Sequence, residues 1–172
     1  MANSNSNLVA NTVAAPIVQN IVSKSGGRMR IASDSFTSVD FHTTADTITL
    51  CRLPSNAVIH SIKIGTGDLG AGSGAIFDLG FYTDGPAGTV EHADDKLILA
   101  NDIDCQAALA ANTEVRWQTD ADMSTAGKAI WELTNSEDNT SDTQRMYDLV
   151  MTAGHADVQD AIVSFCVFYT VD

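Results

Sequence analysis

Three consecutive stretches decide the fold: Ala57-Val-Ile-His-Ser-Ile-Lys-Ile64, Gly65-Thr-Gly-Asp-Leu-Gly-Ala-Gly-Ser-Gly74 and Ala75-Ile-Phe-Asp-Leu-Gly-Phe-Tyr82. The outer two read as apolar strands, and Gly65-Thr66-Gly67-Asp68-Leu69-Gly70 between them matches the G-x-G-x-x-G spacing of dinucleotide-binding loops. That motif holds a pyrophosphate only when a helix starts within the glycines and aims its free amides at the ligand. Here Gly70, Gly72 and Gly74 alternate with small residues, and no apolar residue follows at helical spacing before the next strand. A crossover between parallel strands also needs a dozen or more residues. The stretch therefore predicts two β-strands joined by a long, flexible hairpin connection, and no nucleotide cofactor.

Working outward, a chain of 172 residues predicts one domain with a core of its own. Its charged fraction is only 18%, with Ser, Thr, Asn and Gly making up the polar balance, which suits a β-protein with many polar loops. A net charge of −13 with no basic stripe argues against direct nucleic-acid binding, whose affinity comes from Lys and Arg. Cys51, Cys105 and Cys166 form no C-x-x-C pair and predict buried free thiols in a reducing compartment rather than a disulfide framework or zinc site. The N-terminus carries no secretory pattern and no apolar run is long enough to span a bilayer, so neither membrane nor secretion is expected, and the Asn139-Thr-Ser141 sequon is read as accidental.

Taken in order, residues 1–27 predict an extended N-terminal arm and residues 28–172 a single β-sandwich domain. Leu8, Val9, Val13, Ile17, Val18, Ile21 and Val22 make the arm apolar enough to seek burial, Pro16 interrupts it, and Ser25-Gly-Gly27 separates it from the domain. Lys24, Arg28 and Arg30 follow as the one close group of cations. Arg28 to Phe41 reads as irregular or a short strand, and Asp46 to Leu53 as a strand. In the strand from Ala57, the period-two pattern puts Val58, His60, Ile62 and Ile64 on one face, with His60 a hydrogen-bonded core histidine. Ala75, Phe77, Leu79 and Phe81 share a face of the next strand. Short helices are expected at Asp94–Ala100 and Thr125–Leu133, the second capped by Ser124 or Thr125. Arg145–Thr152 alternates as a strand, and Ala161–Val171, apolar on both faces, belongs at the centre of a sheet. The resulting class is all-β: a jelly-roll-like β-sandwich with one or two short helices and an extended N-terminal arm.

No constellation for chemistry emerges. There is no G-x-S-x-G, and the histidines at 42, 60, 92 and 155 have no helical pairing. The pairs Asp102/Asp104 and Asp120/Asp122 offer oxygen ligands without the loop that makes a calcium site specific, and read as solvated carboxylates. Trp117 and Trp131 could form a sugar-stacking platform, although Trp131 reads more simply as buried on its short helix. No catalytic residue, metal or cofactor is assigned.

Several stretches resemble capsid decoration, or cement, proteins of tailed bacteriophages: Leu53-Pro-Ser-Asn-Ala-Val-Ile-His-Ser-Ile-Lys-Ile64, Phe77-Asp-Leu-Gly-Phe-Tyr82, Asp94-Asp-Lys-Leu-Ile-Leu-Ala-Asn-Asp-Ile-Asp104, Ala129-Ile-Trp-Glu-Leu133 and the closing strand. The resemblance implies a non-enzymatic virion protein, made in the host cytoplasm, that binds the major capsid protein on the outer surface of the head and associates with itself as a homotrimer. The arm and the glycine loop lie outside it. On this reading the arm residues, with Lys24, Arg28 and Arg30, are the expected partner-binding residues, lying in a groove of the coat protein or adding a strand to it. A carbohydrate- or receptor-binding jelly roll and a tail or head-tail connector component are the alternatives.

Overall fold

The computed structural model describes residues 28–38, 46–70, 75–82, 100–105, 107–116, 126–133, 142, 144–154 and 159–171. They form β1 (Arg30–Thr37), β2 (Thr47–Pro54), β3 (Ala57–Thr66), β4 (Ile76–Tyr82), β5 (Ala100–Asp104), β6 (Leu109–Glu114), a one-turn helix α1 (Ile130–Leu133), β7 (Met146–Ala153) and β8 (Ile162–Val171). Two four-stranded sheets result, ordered β1-β8-β3-β6 and β2-β7-β4-β5, with antiparallel pairing throughout. Except at β4–β5, each strand is followed by one in the opposite sheet, and this interleaved order is that of an eight-stranded jelly roll. The all-β, jelly-roll-like sandwich read from the sequence is the one observed, while the arm, residues 1–27, lies outside the described residues.

The core lies between the sheets. From β3 it takes Ala57, Ile59, Ile62 and Ile64, from β4 Phe77, Leu79 and Phe81, from β7 Tyr147, Leu149 and Met151, and from β8 Val163, Phe165 and Val167. As its two apolar faces required, β8 is central, held between β1 and β3. Strict alternation fails in β3, because the pairing with β8 slips between Ile59 and Ser61. A bulge adds one residue to one strand and resets which side chains face inward. Ala57 and Ile59 therefore share the core with Ile62 and Ile64, while Val58 is buried outside it, in a backbone bridge with Ala129 just before α1. His60 is half-buried and meets the Thr170 hydroxyl at 3.0 Å, so it is hydrogen-bonded as expected but does not belong to the core face.

The hairpin reading of Gly65–Gly74 is overturned, since β3 and β4 lie in opposite sheets. Gly65 and Thr66 continue β3, and the chain then crosses the sandwich. Its first half is packed: the Leu69 side chain is fully buried, the Leu69 amide donates to the Cys105 carbonyl at 3.3 Å, and the Leu69 carbonyl accepts from the Gln159 amide at 2.8 Å. Gly67 donates its amide to the Ile162 carbonyl at 2.8 Å, and a Cβ there would sit 3.1 Å from that of Ala161. Gly67 accordingly serves close approach, and no helix forms over residues 65–70. Residues 71–74 lie outside the described residues.

Two strands escaped the sequence reading. Both β5 (ANDID) and β6 (LAANTE) are short and poor in β-branched residues, and they form the far edges of the two sheets. Most of the helix expected at Asp94–Ala100 lies outside the described residues, although Ala100 opens β5. The second helix is shorter than expected, starting at Ile130 rather than Thr125. Gly127, at φ 78°, is left-handed and cannot continue a right-handed helix. Ala129 precedes the first turn, and its amide is satisfied by the Glu132 carboxylate at 2.7 Å, the return half of a capping box. The expected caps Ser124 and Thr125 lie outside the described residues. At the other end of the chain, of the two readings, irregular or a short strand, the strand is the one observed: β1 runs for eight residues, each with a register partner in β8.

Candidate partner-binding surface

Of the expected partner-binding residues, Leu8, Val9, Val13, Ile17, Val18, Ile21, Val22 and Lys24 lie outside the described residues. Arg28 and Arg30 are exposed at the leading end of β1 and form no ion pair with any described residue. They alternate with Met29 and Ile31, which are 58% and 59% exposed. The register places Ile31 beside Phe168 of β8, and Phe168 beside Ser61 of β3. Lys63, in the next outward-facing row and paired with Cys166, holds its ammonium 6.0 Å from the centre of the Phe168 ring, at the outer limit of a cation–π contact. Ile31, Phe168 and Lys63 thus share the outer face of the sheet, while Arg30, alternating with Ile31 and paired with Tyr169, projects on the other side of β1. Sequence reasoning missed Met29, Ile31, Lys63 and Phe168, but the basic-apolar alternation Arg28-Met29-Arg30-Ile31 in so acidic a chain was a usable signal.

Elsewhere the polar groups hold the fold together. Glu114, at the end of β6, accepts hydrogen bonds from the Ser61 hydroxyl, the Ile62 amide at 3.1 Å and the Arg116 amide at 2.9 Å, and so ties β6 to β3. Ser55, in the β2–β3 turn, donates its hydroxyl to Asp142 at 2.5 Å and its amide to the Arg145 carbonyl at 2.8 Å, while its carbonyl accepts from the Trp131 amide at 3.1 Å. That one serine joins the turn, α1 and the entry to β7. On the outer side of β7, Asp148 is 2% exposed and takes a two-pronged bond from Arg52 of β2, Nε to Oδ1 at 2.5 Å and Nη2 to Oδ2 at 2.8 Å.

Three free thiols are present, and only Cys105 is fully buried; Cys51 and Cys166 are half-buried, which corrects the expectation of burial for all. Burial, with a smaller contribution from the Asp148 carboxylate, pushes the Cys51 thiol up to about 12. Burial, then Asp104 and Asp68, pushes Cys105 up to about 11, and its Sγ donates to the Ala75 carbonyl at 3.3 Å. Neither is poised as a nucleophile. Asp104 is exposed at the end of β5, and Trp131 is half-buried on α1 rather than buried. Asp120, Asp122, Trp117 and the histidines at 42, 92 and 155 lie outside the described residues. Among the described residues no three His, Cys, Asp or Glu side chains are grouped to hold a metal ion, and no helix is long and apolar enough to cross a membrane.

No protein-family model matches the chain, and no curated protein sequence matches it. Among solved structures, it is similar to a chain of the capsid of Ralstonia phage GP4, with 17% identity, a TM-score of 0.48 and coverage of 91% of this chain and 92% of that one. It is also similar to a chain of the cyanophage Pam1 capsid asymmetric unit, with 16% identity, a TM-score of 0.44 and coverage of 86% and 88%. A third similarity is to the acid-stable capsid structure of the Helicobacter pylori bacteriophage KHP30, with 12% identity, a TM-score of 0.37 and coverage of 83% and 87%. These are distant likenesses.

Proposed function

We propose that the chain is a structural protein of a phage virion that binds the outer surface of the assembled head through the major capsid protein, stabilises it, and does so as a homotrimer. Residues 28–172 form the body on this reading, and the apolar arm, residues 1–27, is the anchor. The observation that carries it is a coincidence of sequence and fold. The stretches that resemble decoration proteins fall in order on the β2–β3 corner and β3, on β4, on β5, on α1 and on β8, the elements from which the jelly roll is built. Two further features fit: an acidic body is unsuited to packaged DNA, and Arg28 and Arg30 stand exposed where the arm joins the domain. A glycan-binding reading would use loops such as Gly65–Gly74 with a Trp or Tyr platform, and Leu69 within that stretch is buried while residues 71–74 and Trp117 lie outside the described residues.

The test is deletion of residues 1–25 followed by cosedimentation with empty heads. The full chain is expected to pellet with the heads and the truncated chain to stay in solution. Undiminished binding of the truncated chain contradicts the role of the arm.

A further inference from the structure

The leading corner of β1 presents more than the foot of an arm. Among the described residues β1 pairs with β8 alone, so its other edge carries a row of backbone donors and acceptors suited to an added strand. Arg30 and Ile31 alternate at the start of that edge, Arg28 and Met29 lead into it, and Phe168 and Lys63 continue the outer face from Ile31. Arg28 and Arg30, two of the chain's nine basic residues, stand exposed at this end of β1 in a molecule of net charge −13. A strand that fits must therefore bring carboxylates.

Residues 1–27 contain no Asp or Glu, so the chain's own arm cannot neutralise Arg28 and Arg30. Pairing of two β1 strands about their middle sets Arg30 opposite Thr37 and leaves the cations unmatched, which disfavours a second copy. We infer that the edge of β1 left unpaired by the described residues receives an extended segment of the coat protein, with carboxylates against Arg28 and Arg30 and apolar side chains against Met29 and Ile31. This deepens the head-binding reading and rests on it. Asp34, further along β1, is the acid such a segment must avoid; its carboxylate already accepts the Ser35 amide at 2.7 Å.

The experiment compares three full-length variants with the parent for binding to empty heads: Ile31→Asp, the pair Arg28→Glu with Arg30→Glu, and Ile162→Asp as a control at an exposed position on β8 far along the sheet. All these positions are exposed, and circular dichroism with urea melts checks that the variants remain folded. The first two are expected to lose about tenfold or more in affinity, with Ile162→Asp unchanged. The arginine pair should also flatten the salt dependence of binding, since screened carboxylate contacts are lost. Parent-like binding by Ile31→Asp and the arginine pair overturns the inference while leaving the head-binding reading intact. Failure of the parent itself to bind heads overturns that reading. A parent oligomer that Ile31→Asp converts to monomer makes a second copy the occupant and overturns the assignment to the coat.

Discussion

Asp148 shows how a single carboxylate shapes this sandwich. It sits on the outer side of β7, almost wholly out of water, and an ion pair joins it to Arg52. A buried carboxylate left without its partner is costly, although the 59% exposure of the Arg52 side chain lets water share the load. Arg52→Ala is expected to lower stability by about 1–3 kcal/mol in urea denaturation, and a neutral Asn at 148 to make the loss of Arg52 cheaper. The thiols give a pH signature. Cys51 and Cys105 ionise near 12 and 11 in the folded chain but near about 8.5 once unfolded, so the unfolded state sheds protons first as pH rises. Stability from these groups is full below about pH 8.5 and is lost progressively toward pH 11–12. Substituting Cys51→Val and Cys105→Ala should flatten that alkaline decline in melts at a series of pH values, and alkylation at pH 8 should be slow at both cysteines until urea is added.

At the scale of elements, what could be read from sequence and what could not follow from how far each signal reaches. The strands β3, β4, β7 and β8 were legible because their apolar residues recur with period two and are bounded by turn residues. The strands β5 and β6 were not, because edge strands need little apolar surface and ANDID and LAANTE carry little. The partner of β3 across the glycine stretch was also out of reach, since strand pairing is a non-local choice that a turn pattern constrains only when the loop is short. The bulge at His60 depends in the same way on β8, more than a hundred residues later in the chain. For the candidate surface, the cations at 28 and 30 were visible, but Phe168 and Lys63 join them only through the sheet. Close packing between elements gives a further prediction. A Cβ on Gly154, after β7, would lie 2.8 Å from Cγ1 of Ile76 at the start of β4, so Gly154→Ala should cost about 1–3 kcal/mol by forcing that side chain aside. Adding Ile76→Val should recover part of the loss, which a double-mutant cycle in urea would detect.

The molecule as a whole is a jelly roll whose described polar clusters close corners and edges of the sandwich, and Arg28, Met29, Arg30 and Ile31 stand exposed together at the entry to β1. The proposed anchoring through the N-terminal end turns that entry toward the coat protein. The most direct test is a cryo-electron reconstruction of empty heads incubated with the full chain. The account predicts density for the two-sheet sandwich on the outside of the shell, in groups of three, with the N-terminal end of β1 turned toward the coat protein. Density inside the shell, on the tail or connector, or none on the heads at saturating protein would contradict it.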